Sequence, residues 1–199
     1  MQGSSMSRPV VLSLAAALAA VLLLAPPANA ADQIAYQCNS DICVVNPDSG
    51  TPTNLTNTGG ASEWYPAWSP DGTRIAYGAL LPSANWDTYM LNVASPGTAV
   101  QITNTPDGAE SNSYPPVWSP GGTRIASVYH PNSSAENDEI IVSNADGTGG
   151  DVHVGSTTSD EAYPSYSSDG SKIMFYRDSG SILIANADGS DTGTSANAF

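Results

Sequence analysis

Three carboxylates and three phenols recur at matching places in this chain. Glu63 and Glu161 each precede a proline by three residues, with Tyr65 and Tyr163 directly before Pro66 and Pro164. Glu110 and Tyr114 lie in the corresponding approach to Pro116. Carboxylates walled by aromatic rings can hold a cation or a peptide amine. The plainer reading makes them ordinary strand residues, and the sequence leaves both open.

Catalytic constellations are harder to find. There is no Gly-x-Ser-x-Gly elbow, and the only histidines, His130 and His153, stand apart from each other, so a Ser-His-Asp arrangement has little to draw on. A His-Glu-x-x-His zinc pattern and a phosphate-cradling glycine loop are both missing. Asp146–Asp151 and Asp188–Asp191 carry oxygen ligands at short spacing, but neither fits the twelve-residue calcium loop, and both read as turns. The expectation is a non-enzymatic protein with no metal and no cofactor.

The elements that must position these residues are written in a repeat. Tyr65-Pro66-Ala67-Trp68-Ser69-Pro70-Asp71-Gly72-Thr73-Arg74-Ile75-Ala76-Tyr77 returns around Trp118 and again around Tyr166, 50 and then 48 residues on. Such a period means one supersecondary unit used several times. A short apolar segment ends in an aromatic. Ser-Pro-Asp-Gly then makes a β-turn, with proline presetting φ and glycine accepting a positive one. Second strands follow at Ile75–Tyr77, Ile125–Tyr129 and Ile173–Tyr176, and third strands at Thr88–Asn92, Ile140–Asn144 and Ser181–Asn186. Weaker fourth strands are placed at Val100–Thr103 and Val152–Val154. Four short strands per unit of this length is the pattern of a propeller blade. First strands line a propeller's axis, so the six recurrent residues would gather at a channel mouth.

The residues also carry a resemblance. Pro66-Ala67-Trp68-Ser69-Pro70-Asp71-Gly72-Thr73-Arg74-Ile75-Ala76-Tyr77, followed by Met90-Leu91-Asn92, resembles the WD40-like PD40 repeat of TolB-type propellers. Asn-Ala-Asp-Gly at 144–147 and at 186–189 resembles the strand ends of that repeat. The likeness covers most of residues 32–190. It implies an all-β propeller of four-stranded antiparallel blades, here incomplete, with two full and two partial blades. Related propellers close with about six blades, within a general range of roughly 4–8. The chain is therefore expected to be a fragment, an open arc completed by association, or a rare four-bladed ring.

The ends fit that division. Arg8, the apolar run Val10–Ala25 and the small-x-small site Ala28-Asn29-Ala30 read as a signal peptide over residues 1–30. The propeller then occupies 31–199. The first blade opens at Gln33–Tyr36 and lacks a first strand of its own. Residues 190–199 have no strand character and read as a disordered tail, leaving the last blade without a fourth strand. Cys38 and Cys43 flank the first hairpin turn, and an even pair in an exported chain implies a disulfide.

The formal net charge is −14, and the leader takes Arg8, one of only five basic residues. Such a surface repels nucleic acid and anionic lipid. No second apolar stretch is long enough to span a bilayer, so no membrane insertion is expected after cleavage. Three of the remaining basic residues, Arg74, Arg124 and Lys172, share one offset past the repeat aromatic. They form either a ligand-gripping ring or a set of local pairs that cover each blade. The long acidic loop from His130 to Asp138 is a further candidate contact surface.

Taken together, the sequence points to a periplasmic or secreted binding or scaffold protein. The resemblance implies an envelope protein partner, with self-association possible if the propeller is open. The alternative is the propeller-domain fragment of a secreted peptidase or lyase.

Overall fold

The computed structural model describes residues 32–81, 85–104, 110–111, 114–130, 137–155, 159–178, 180–191 and 193–195. The leader at 1–30 and loop residues 131–136 lie outside the described residues.

The β-branched and aromatic runs form antiparallel strands in four blades, and no α-helix is present among the described residues. Blade I holds β1 (Ile34–Cys38), β2 (Asp41–Val45) and β3 (Pro52–Asn54). Blade II is the fullest, with β4 (Ser62–Trp68), β5 (Arg74–Leu80), β6 (Trp86–Asn92) and β7 (Ser95–Gln101). Blade III runs from β8 (Glu110–Ser111) and β9 (Val117–Trp118) to β10 (Arg124–His130), β11 (Glu139–Asn144) and β12 (Val152–Val154). Blade IV has β13 (Glu161–Tyr166), β14 (Lys172–Arg177), β15 (Ser181–Asn186) and β16 (Thr194–Ser195). One parallel bridge, Trp86 to Glu110, ties blade II to blade III.

The turn after each first strand is built by its own sequence. In blade II, Asp71 accepts from the Ser69 hydroxyl at 2.6 Å and from the Thr73 amide at 3.1 Å, while Gly72 takes φ +67°. Asp169 repeats this with Ser167 and Ser171 in blade IV. The serine hydroxyl bonds hold the Asp169 carboxyl down at about 2. Blade III has Gly121 where the aspartate would stand, yet Gly122 keeps φ +65° and the turn closes.

One core fills each seam between neighbouring blades. Ile42, Val44 and Leu55 meet Ile75, Tyr77 and Leu91 between blades I and II. Ala76, Met90 and Ile102 meet Trp118 and Ile125 between II and III. Val128, Ile140 and Val154 meet Ile173, Phe175 and Leu183 between III and IV. Strands packed on both faces are therefore largely apolar, and β5, β6, β10 and β11 are buried along most of their length, with Asp87, Thr88, Ser127 and Ser143 as buried polar exceptions. In blade IV burial alternates instead, leaving Met174, Tyr176, Ile182 and Ile184 exposed on one face.

One expectation changes. The last blade does have a fourth strand: Thr194 and Ser195 pair with Ile184 and Leu183, after Gly193 turns the chain at φ +85°. A two-residue strand of Thr194 and Ser195 leaves no apolar signature in the sequence to read. Trp68 is only half-buried, whereas Trp118 is 8% exposed. The missing first strand of blade I accounts for the difference. Blade I holds three strands, as expected, and β1 pairs only with β2 among the described residues.

Candidate binding rim on the inner strands

The first strands gather together, with β9 lying against both β4 and β13. The recurrent residues therefore sit on the inner side of the arc, but the structure divides them by role.

The carboxylates point inward. Glu63 is 1% exposed, accepts from the Ile42 amide of blade I at 3.2 Å, and takes a 2.5 Å bond from the Thr58 hydroxyl. Burial pushes its carboxyl above the usual range, with the Thr56 and Thr58 hydroxyls opposing the shift. Glu161 is fully buried and receives Arg177 Nη2 at 2.6 Å, while the same nitrogen donates to the Gly155 carbonyl of blade III. Only glycine fits at 155: a Cβ there would meet Phe175 at 2.6 Å and Glu161 at 2.7 Å, and φ is +89°. Both carboxylates are thus joints between blades. Glu110 pairs through its backbone with His130, and its side chain lies outside the described residues.

The rings face solvent. Tyr65 is 41% and Tyr163 64% exposed. Both stand at bulges in their strands, at φ +57° and +56°. That is a left-handed conformation rare for a bulky side chain, and it directly precedes a proline, which favours extended backbone at the residue before it. The same strained geometry at the same repeat position, carrying an exposed phenol each time, holds the two rings in a set direction. Tyr114 meets Tyr163 edge-on at 4.7 Å across the seam from blade III to blade IV. Burial, then the Tyr163 ring beside it, raises the Tyr114 hydroxyl.

Sequence reading missed Trp64 and Trp86. Trp64 is 40% exposed, lies 6.2 Å from Tyr65, and meets Trp86 edge-on at 6.4 Å. The available signal was the aromatic directly before the repeat tyrosine, where blade IV carries Ala162.

The basic residues act as clasps. Arg74 Nη2 donates to the Gly122 carbonyl at 2.7 Å and its guanidinium lies 4.7 Å over the Trp118 ring. Arg124 reaches the Ala187 carbonyl of blade IV at 3.1 Å. Lys172 donates to Asn186 within its own blade. The expected local carboxylate is a weak partner for Arg74, with Asp71 at 3.8 Å. The main bonds of both arginines go to the next blade's backbone. Asp146 and Asp188 cap their turns by accepting from the Thr148 and Ser190 amides. Cys38 and Cys43 are disulfide-bonded across the first hairpin, whose turn residues Asn39 and Ser40 both have positive φ.

No protein-family model matches the chain, and no curated protein matches it. Its structural neighbours are TolB and other propeller proteins. A putative TolB from Agrobacterium tumefaciens superposes with a TM-score of 0.62 at 18% identity, over 82% of this chain and 59% of that one. TolB from Acinetobacter baumannii gives 0.60 at 22% identity, over 83% and 40%. A puromycin-hydrolyzing peptidase of Mycobacterium tuberculosis gives 0.64 at 12% identity, over 84% and 31%. These likenesses establish the β-propeller fold. The chain spans well under two-thirds of each of these neighbours.

Proposed function

We propose that this protein is a non-enzymatic binding protein of the cell envelope, and that its inner aromatic rim takes a segment of a protein partner. The observation that carries this reading is the pair Tyr65 and Tyr163. Each is an exposed ring held on a strained bulge at the same repeat position. Rigid aromatics offer large contact area at low entropic cost. The acidic surface favours a partner segment that is neutral or basic. The Cys38–Cys43 disulfide and the leader at 1–30 support export to an oxidising compartment. The exposed apolar face of blade IV supports association with further protein as well.

A photo-crosslinking residue placed at 65 or 163 tests the reading. We expect one discrete adduct with an envelope protein from both positions, and none from Thr98 on the outer strand β7. Equal labelling from all three positions, or no adduct at 65 and 163, removes the rim from consideration.

The second reading, a propeller domain of a secreted peptidase or lyase, is supported by neighbours of those kinds. One is the mycobacterial peptidase and another an oligogalacturonate lyase from Vibrio parahaemolyticus. Cleavage of oligogalacturonate by the purified chain would favour the lyase form of this reading.

A further inference from the structure

The seam between blades II and III contains a bond that blade I cannot supply. Trp118 Nε1 donates to the Ala67 carbonyl of β4 at 2.9 Å. Ala67 stands opposite Ala76 in the β4–β5 register, just as Val117 stands opposite Ala126 in blade III. Trp68 occupies the place of Trp118 one blade earlier: it pairs with Ile75 as Trp118 pairs with Ile125. Its acceptor should therefore be a carbonyl opposite Ala35, the blade I counterpart of Ala76. No strand lies there among the described residues, and Trp68 Nε1 is buried with no hydrogen-bond partner. Leaving a buried donor unmade is costly, so the site has a stake in being filled. Tyr166, the blade IV counterpart, also has an unpartnered hydroxyl. It is a phenol with its polar atom at the ring's far end, so the indole pair is the proper comparison.

The rest of β1 matches this vacancy. Among the described residues, every other second strand has a first strand on its inner edge, while β1 pairs only with β2. Ile34 is 56% exposed, whereas its counterparts Ile75, Ile125 and Ile173 are all at 0%.

We propose that the inner edge of β1 is a strand-acceptor site for an extended segment of a partner protein. One backbone carbonyl of that segment, opposite Ala35, accepts the Trp68 indole N–H. The chain's own first strands state what fits. The residue at that carbonyl is small, like Ala67 and Ser165; it follows a proline, and an aromatic comes next to lie over Ile34. Main-chain bonds supply the affinity and the Pro-small-aromatic order supplies the selectivity, as in other strand-addition complexes. This site is separate from the aromatic rim, so either can fail alone.

A tryptophan-free peptide with the sequence of residues 162–168, Ala-Tyr-Pro-Ser-Tyr-Ser-Ser, is the probe. We expect saturable binding to the full chain, a change in tryptophan emission, and new amide protection at 34–37 in hydrogen exchange. Trp68→Phe should weaken binding about five-fold, the loss of roughly 1 kcal/mol for one net hydrogen bond. Ile34→Lys, at an exposed position where folding is unaffected, should block binding by charging the edge. Replacing the central proline and the aromatic after the small residue with aspartate should abolish it. Absence of binding, equal affinity for the Trp68→Phe and Ile34→Lys proteins, or protection outside β1 would overturn the proposal. So would a concentration-dependent dimer that Ile34→Lys dissociates, since the occupant would then be a second copy of this chain.

Discussion

Arg74 and Trp118 lock two blades together: the guanidinium lies 4.7 Å over the indole while bonding the Gly122 carbonyl two residues before Arg124 begins the next strand. The indole beneath it donates to Ala67 at 2.9 Å. Stacking, a charge-assisted bond and an indole bond thus converge on one seam. Trp118→Ala should cost about 3–5 kcal/mol in denaturant unfolding. Trp118→Phe should cost about 1 kcal/mol, while Trp68→Phe in the free protein should cost less, because no bond is lost there. Equal losses at 68 and 118 would speak against the seam as described.

Gly122 has positive φ, and an added Cβ would lie 3.1 Å from Arg74 Nη2. Gly122→Ala is expected to destabilise by about 1–2 kcal/mol through backbone strain. Gly155→Ala should be worse, because Phe175 and the buried Glu161 cannot both retreat. Thermal melts of the two variants beside Gly59→Ala, whose Cβ meets nothing within 4 Å, would rank them.

Glu63 gives the fold a pH dependence of definite sign. Its folded carboxyl titrates above its unfolded value of 4.5 because it is buried. The folded state then binds the proton more tightly, so the contribution is fully favourable below 4.5 and is lost as pH rises through the folded value. Glu63→Gln should therefore flatten the stability profile above about pH 4.5. An unchanged slope in that window would mean that the carboxyl is not held inside.

Tyr163 invites a trade of stability for binding. Tyr163→Gly removes an exposed ring and relaxes a backbone at φ +56°. Unfolding should show the variant unharmed, or firmer by up to about 1 kcal/mol, while crosslinking to the partner from position 65 falls. A large loss of stability would make the ring structural.

Reduction of Cys38–Cys43 should loosen blade I alone. Hydrogen exchange should quicken over 34–45 and stay unchanged in blades II to IV. The loss should be about 2 kcal/mol on the chain-entropy view of so short a loop.

The blades were legible because their signals are local. Pro70-Asp71-Gly72 dictates a turn, and Ile140-Ile141-Val142 can only be a strand buried on both faces. The cysteine pair was legible for the same reason. What escaped depends on seams. Nothing near Glu63 in sequence shows that the Ile42 amide of the neighbouring blade will reach it, so a carboxylate placed at the channel mouth is in fact a joint. The Tyr-Pro pairs gave no hint that both tyrosines would be turned to positive φ. Thr194 and Ser195 became a strand through backbone pairing that composition does not record.

The rim itself is tested most directly by affinity for the partner captured through position 163. Calorimetric titration of that partner onto the native chain and onto the Tyr65→Ala, Tyr163→Ala double variant separates the outcomes. A loss of about ten-fold or more, roughly 1.4 kcal/mol, with melting unchanged is the predicted result. Equal affinity in a folded variant would contradict the account.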